Sequence, residues 1–136
     1  MTTLIAAAAV FFAAMFTQRH LLSRRKDRRP GRCVTLTGLW NTGAAFALPL
    51  SRKAVTAASC AALVFAWRRR GVSKLGAGLV LGGGGANLYE RLRHGRVYDY
   101  VQFPAAPGPV KRYVFNLADF AIFLGALLLL PRRKKG

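Results

Sequence analysis

Carboxylates are scarce in this sequence, and their positions single out the residues that could do chemistry. The four are Asp27, Glu90, Asp99 and Asp119. Asp27 lies in a run of arginines, where we interpret it as a solvated loop residue. The other three lie in or beside apolar segments, where an ionisable group is costly and therefore marks a candidate functional site.

Polar side chains recur around these carboxylates at helical spacing. Asn116 and Asp119 are three residues apart at the start of one apolar segment, so they share a helix face. Asn87, Glu90 and Arg91 occupy positions i, i+3 and i+4 near the end of the preceding apolar segment. Because consecutive helices are antiparallel, we expect both clusters at the same end of the molecule.

Asp99 lies between these two segments, so the sequence predicts that it approaches Asp119. Two carboxyls at short range cannot both ionise, so one keeps a proton while the other acts as a base. Such a pair can activate a water and protonate a departing amine, which is the chemistry of an aspartic protease. The structural alternative is a polar cluster in which both aspartates pair with Arg91 or Arg96. The spacing alone leaves both open.

Composition predicts the elements that position these residues. The chain has 136 residues, enough for one domain (1–136), with 53% hydrophobic residues and a formal net charge of +18. Its apolar residues come in blocks with basic clusters between them, which is typical of a membrane protein and not of a nucleic-acid binder. We predict a short strand at Cys33–Asn41. The predicted helices are Thr2–Thr17, Ala54–Trp67, Leu75–Leu92 and Tyr113–Leu130.

Other residue types exclude several kinds of site. Cys33 and Cys60 are too few for a disulfide framework, and with His20 and His94 they lack metal-ligand spacing, so we expect no metal or cofactor. No Lys-Ser/Thr pair follows the glycines at 82–85, which argues against a phosphate-binding loop. We interpret the glycines of the third apolar segment, Gly78 and Gly82 in particular, as sites of close helix packing.

The first apolar segment has a second interpretation, as a cleaved signal peptide. It lacks a basic region before the apolar run and has no clear A-x-A site, so we favour a retained helix. Counting Lys and Arg in the connecting loops leaves the orientation in the membrane open. The short Arg68–Lys74 loop and the Arg132–Lys135 tail oppose the larger number of basic residues in the other loops.

Three patches of sequence resemble lipoprotein signal peptidase (signal peptidase II). They are NTGAAF at 41–46, GGGGANLYERLRHGRVYDY at 82–100 and FNLADFAI at 115–122. The family pattern runs N-x-G-A-A-F, then G-G-x-x-G-N-x-x-D-R-x-x-x-G-x-V-x-D-F, then F-N-x-A-D-x-x-I. The resemblance extends from about residue 35 to residue 127, with the patches in the family's order.

The resemblance implies a fold, a site and a function. The fold would be an all-α membrane protein, a four-transmembrane-helix bundle with a small extracytoplasmic β-cradle, and both termini would be cytoplasmic. The activity would be removal of the signal peptide from diacylglyceryl-modified prolipoproteins, before the lipidated Cys, near the outer face of the bacterial cytoplasmic membrane. Besides this substrate, we expect contact with membrane lipids, no nucleic acid, no cofactor and a monomeric state. The implied catalytic residues are Asp99 and Asp119, and the implied substrate-binding residues are Asn41, Asn87, Arg91 and Asn116.

The sequence also departs from the family pattern. Ala86 replaces a glycine, Glu90 replaces an aspartate, and the first helix lacks the acidic residue usual there. We interpret Glu90 as a structural partner and not as a member of the catalytic pair. The departures keep an alternative function open: a degenerate or divergent paralogue that binds lipopeptide or acts as a membrane scaffold.

Overall fold

The computed structural model describes residues 1–23, 32–42 and 50–131. Asp27, residues 43–46 of the first sequence patch and the basic tail at 132–135 lie outside this range. Within it the chain forms four α-helices, three strands and two short 3-10 turns, at Arg69–Gly71 and Gly108–Arg112. In chain order the helices and strands are α1 Thr2–Ser23, β1 Thr35–Asn41, α2 Arg52–Arg68, α3 Lys74–His94, β2 Val97–Gln102, β3 Val114–Phe115 and α4 Leu117–Leu128.

The helices begin and end at residues suited to capping. The Ser51 hydroxyl accepts from the Ala54 amide (3.2 Å) at the start of α2, and the Ser73 hydroxyl accepts from the Gly76 amide (2.9 Å) at the start of α3. Gly95 ends α3 in the left-handed conformation (φ 72°), which a residue with a Cβ adopts only with strain. Gly95 therefore fixes the end of α3, two residues before β2 begins at Val97.

Helix α3 lies at the centre of the bundle and packs closely through its glycines. A Cβ on Gly82 would lie 2.5 Å from the Ala7 carbonyl oxygen of α1, and one on Gly83 would lie 2.6 Å from the Ala118 carbonyl oxygen of α4. Backbones approach this closely only where side chains are absent. The expected packing role is therefore confirmed for Gly82, and also for Gly78, where a Cβ would lie 2.6 Å from the Ala6 Cβ of α1.

The three strands form one antiparallel sheet in the order β1-β2-β3. Asn41 of β1 is opposite Val97, and Val101 of β2 is opposite Phe115. A bulge interrupts the β1–β2 pairing between Leu36 and Leu39. Since β3 leads directly into α4, the sheet holds the end of α3 and the start of α4 side by side.

Small side chains lie inside the bundle, and large apolar ones lie outside it. The two buried clusters consist mainly of alanines, among them Ala66, Ala77 and Ala86. Large apolar side chains on the outer surface include Phe12, Phe16 and Phe123. A water-soluble core shows the opposite arrangement, whereas helices that face lipid pack through small residues.

The predicted four helices and small sheet are confirmed, with shifted boundaries. Helix α1 extends to Ser23, and α4 begins only at Leu117 because Val114 and Phe115 pair with β2. By length and composition, α1 is the one helix among the described residues that could cross a membrane by itself, while α4 is apolar but shorter. Helices α2 and α3 carry charged residues near their ends, such as Arg68 and Lys74.

Candidate active site

Four elements bring the predicted site residues to one end of the bundle. Asn41 ends β1, Asn87 lies in the last turns of α3, and Asp99 lies in β2. Asn116 and Asp119 lie at the start of α4. Asp99 and Asn116 are buried. Asn41 and Asp119, the first and last of the five residues in the sequence, are separated by more than half of the chain. The close approach is therefore a product of the tertiary fold.

Asn116 and Asp119 cap α4 reciprocally. The Asp119 amide donates to the Asn116 side-chain oxygen (3.0 Å), and the Asn116 amide donates to Asp119 Oδ2 (2.9 Å). This capping box satisfies two backbone donors that a helix N-terminus leaves without partners. It also fixes the direction of the Asp119 carboxyl relative to the helix.

The Asn116 amide group connects the two aspartates. Its Nδ2 donates to Asp99 Oδ1 (2.9 Å) and to Asn87 Oδ1 (3.1 Å). Asn87 Nδ2 in turn donates to Asp119 Oδ1 (3.0 Å). On the far side, Asn41 Nδ2 donates to Asp99 Oδ2 (3.2 Å). Both carboxyls are thus held by amide groups that supply no charge.

The surroundings of Asp99 favour the protonated form of its carboxyl. Burial and, to a lesser extent, the nearby charge of Asp119 raise the pKa of Asp99 to about 7. The hydrogen bonds from Asn41 and Asn116 and the charge of Arg91 oppose the increase. Near neutral pH Asp99 therefore exists in both protonation states, as a group that transfers protons requires.

The two arginines of the structural alternative lie in different places. Arg91 is half-buried in α3, close enough for its charge to act on Asp99. The Arg96 guanidinium instead lies over the Trp40 ring, 4.1 Å from its centroid. Asn41 and Asn116 donate hydrogen bonds to Asp99, and the charge of Arg91 acts on the same carboxyl.

Glu90 and Tyr100 also lie near the site, although neither was predicted to be a catalytic or substrate-binding residue. Glu90 is buried, and its Oε2 lies 3.8 Å from Nε2 of exposed His94 on the next turn. Tyr100 was not predicted: its hydroxyl accepts from the Leu117 amide (2.9 Å) at the start of α4. The available signal was the position of this tyrosine directly after Asp99.

Comparison with known proteins agrees with this geometry. The sequence model of the family described as signal peptidase (SPase) II matches residues 3–132. The chain belongs to the signal peptidase II family. Signal peptidase II is a protease family, and its members hydrolyse peptide bonds.

Similar members of the signal peptidase II family are named lipoprotein signal peptidase. The one from Methylorubrum extorquens is 38% identical over 102 residues, covering 68% of this chain and 58% of that protein. The one from Desulfitobacterium hafniense is 38% identical over 113 residues, covering 74% and 72%. The one from Pelotomaculum thermopropionicum is 41% identical over 102 residues, covering 69% and 63%. The matched part of the chain thus spans less than two thirds of two of these relatives.

Two solved structures, both described as bacterial membrane enzymes, share the fold. One has a TM-score of 0.80 at 16% identity, with 99% of this chain and 93% of that chain covered. The other has a TM-score of 0.78 at 18% identity, with 98% and 94% covered. Membership of the signal peptidase II family and this fold together indicate a bacterial membrane protein.

Proposed function

We propose that the protein is a membrane aspartyl endopeptidase that removes signal peptides from diacylglyceryl-modified prolipoproteins. Cleavage falls at the peptide bond before the lipidated Cys, and Asp99 and Asp119 are the catalytic residues. The single observation that supports this most is the bridge of amide groups between the buried carboxyl of Asp99 and the half-buried carboxyl of Asp119. Asn116 contacts Asp99 directly and reaches Asp119 through Asn87.

The two carboxyls divide the proton transfers. Asp119, as carboxylate, takes a proton from a water whose oxygen attacks the scissile carbonyl carbon. Asp99, as carboxylic acid, protonates the carbonyl oxygen as the tetrahedral intermediate forms, and it takes this proton back when the carbonyl re-forms. The proton gained by Asp119 then goes to the departing nitrogen as the C–N bond breaks. Both carboxyls act as one titrating pair, which suits proton exchange near neutral pH.

The amides and the guanidinium around the pair form the substrate-binding surface. Asn41, Asn87 and Asn116 orient the carboxyls through their hydrogen bonds, and their amide groups line the surface that the substrate backbone meets. Arg91 supplies a positive charge beside the pair. The reaction needs neither metal nor organic cofactor, because the pair alone activates the water.

The lipid anchor of the substrate requires an enzyme in the same membrane. We propose four transmembrane helices in the bacterial cytoplasmic membrane, with the site near the outer face and both termini in the cytoplasm. The protein works as a monomer surrounded by lipid. The exposed apolar side chains of α1 and α4, such as Phe12 and Phe123, support contact of these helices with lipid.

Carboxylate-to-amide substitutions test the catalytic pair. We expect Asp99→Asn and Asp119→Asn each to lower cleavage of a diacylglyceryl-modified prolipoprotein by at least about 10³-fold, because each removes a proton-transfer group with little change in shape. The readout is the gel shift of the substrate on incubation with purified enzyme in detergent. Thermal unfolding of each variant checks that it is folded.

Glu90→Gln is the matched control, because it makes the same chemical change at a buried carboxyl outside the pair. Its main expected effect is a lower stability, with turnover retained by the folded protein. An inert but folded Glu90→Gln beside an active Asp99→Asn would show that Glu90 belongs to the pair. Wild-type protein that binds the lipopeptide without cleaving it would favour a degenerate paralogue.

A further inference from the structure

Tyr100 meets the start of the helix that carries Asp119. Its residue is 3% exposed, and its hydroxyl oxygen accepts a 2.9 Å hydrogen bond from the Leu117 amide. Leu117 is the first residue of α4, directly between Asn116 and the turn that contains Asp119. Tyr100 also follows Asp99 in β2, so two successive residues of one strand supply Asp99 itself and a contact with the start of α4.

Hydrogen-bond accounting at the start of α4 explains why the hydroxyl matters. The capping box uses the Asp119 amide and the Asn116 amide, but it does not use the Leu117 amide. The Tyr100 hydroxyl accepts from that amide in a buried place, where an amide without an acceptor is destabilising. The turn that orients Asp119 is thereby tied to β2 as well as to its own cap.

The protonation state of Tyr100 suits a fixed, neutral partner. Burial raises the pKa of Tyr100 above its usual value, the hydrogen bond from Leu117 opposes this, and the charges of Asp119 and Asp99 raise it again. The hydroxyl therefore stays protonated wherever one of the two carboxyls is ionised. A phenol that accepts from Leu117 and keeps its own proton adds no negative charge beside the pair.

We infer that Tyr100 is a positioning residue for the reaction: through Leu117 it holds the first turn of α4 so that Asp119 faces Asp99. This inference rests on the proposed function. The family pattern has Phe at this place, so the hydroxyl adds to an arrangement that other members build without it. The expected contribution is accordingly a moderate one.

Tyr100→Phe tests the inference because it removes the hydroxyl and keeps the ring. We expect kcat to fall by about 5- to 20-fold, which corresponds to the loss of one buried hydrogen bond. We expect KM to change by less than about twofold. We also expect the alkaline limb of the kcat–pH profile to move to lower pH. If Asp119 moves away from Asp99, its charge raises the Asp99 pKa less, so the acid form is lost at lower pH.

Tyr98→Phe is the matched control. Tyr98 lies in the same strand, is 2% exposed and packs against the Tyr100 ring at 6.1 Å between centroids. Its hydroxyl lies against Gly38 of β1 and not at α4. We expect kcat and the pH profile of Tyr98→Phe to stay within about twofold of wild type. A purely structural role of Tyr100 would lower the unfolding temperature of Tyr100→Phe and leave its pH profile unchanged.

Amide hydrogen exchange supplies a readout independent of activity. In detergent-solubilised full-length protein, the peptide covering residues 114–121 should exchange faster in Tyr100→Phe than in Tyr98→Phe. Equal exchange in the two variants, or a wild-type kcat and pH profile for Tyr100→Phe, would overturn the inference while the proposed function stands. Wild-type protein that fails to cleave would overturn the proposed function, and the exchange comparison would still decide whether Tyr100 holds the turn.

Discussion

Asp99, which we propose as a catalytic residue, lies in an environment that opposes its ionisation. Its folded-state pKa of about 7 lies above the ordinary value of 3.8. Between these pH values the unfolded chain has lost a proton that the folded protein keeps, so stability falls as pH rises through this interval. The protein thus holds a group that it would fold better without at neutral pH, which is usual for functional sites.

Asp99→Asn should therefore become relatively more stable as pH rises. At pH 4 to 5 we expect its unfolding temperature to be close to that of wild type or slightly below it. At pH 8 the difference should have shifted in favour of the variant by about 4 °C or more, corresponding to about 1 kcal/mol. Thermal unfolding of both proteins across this pH range in one detergent provides the comparison. A difference that does not change with pH would contradict the raised pKa.

Arg91 and Arg93 form a matched pair of basic residues on one helix. Arg91 is half-buried and acts on Asp99, whereas Arg93 is exposed. We expect Arg91→Lys to lower kcat/KM by about 10-fold or more, because an ammonium cannot replace the planar fork of a guanidinium. Arg93→Lys should remain near wild type. Equal activities in the cleavage assay would remove Arg91 from the proposed site.

Residue types and spacing predicted most of the asparagines and aspartates that the fold brings together at the site. Asn87, Asn116 and Asp119 could be placed on helix faces because helical periodicity relates them directly. Tyr100 could not, because its contact with Leu117 depends on how β2 lies against α4. The assignment of these residues to catalysis and binding stays a prediction.

At the scale of elements, the glycines of α3 set how closely its neighbours approach. A Cβ on Gly82 would meet the α1 backbone at 2.5 Å, whereas one on Gly85 would come no nearer than 3.8 Å, to Phe11. The two positions thus differ in the space around them and not in helix propensity. Helix packing in a membrane relies on such close approaches.

Alanine substitutions at these two glycines should have opposite effects. Gly82→Ala should lower the unfolding temperature, because α1 must move away from α3, and a loss of about 1–3 kcal/mol is typical of overpacking. Gly85→Ala should be neutral or stabilising by up to about 1 kcal/mol, since alanine favours the helix. Thermal unfolding in detergent distinguishes them. A stable Gly82→Ala would mean that α1 and α3 are not packed as described.

Apolar blocks predicted the four helices well, and they predicted the strands unevenly. The expected strand at Cys33–Asn41 is present as Thr35–Asn41. Strands β2 and β3 were not predicted, since VYDYVQ and VF are too short to show a period and are held mainly by pairing with each other and with β1. The same pairing explains why α4 starts at Leu117 and not near Tyr113.

At the scale of the whole molecule, the helix bundle has two ends, and the directions of the helices determine which residues lie at each end. Thr3 of α1 lies beside Gly78 near the start of α3, and Arg69 Nη2 donates to the Leu129 carbonyl at the end of α4 (3.2 Å). The start of α1, the α2–α3 connection and the end of α4 are therefore at one end. Asp99 and Asn116 lie at the other.

Reporter fusions test whether these two ends are the two sides of a membrane. We expect a reporter in the Arg68–Lys74 loop and one after the last residue to give the same cytoplasmic signal. A fusion within the 103–108 connection should give the opposite signal. Placement of the Arg68–Lys74 loop opposite the C-terminal fusion would contradict the four-span topology.

The distribution of the site along the chain has a consequence for biosynthesis. The hydrogen-bonded site consists of Asn41 from β1, Asn87 from α3, Asp99 from β2, and Asn116 and Asp119 from the start of α4. A nascent chain that has not yet reached Asn116 lacks the group that joins the two carboxyls. During synthesis the two carboxyls can therefore pair only after α4 has been made and has joined the helices before it. Under the proposed function, the order of translation delays the appearance of hydrolytic activity.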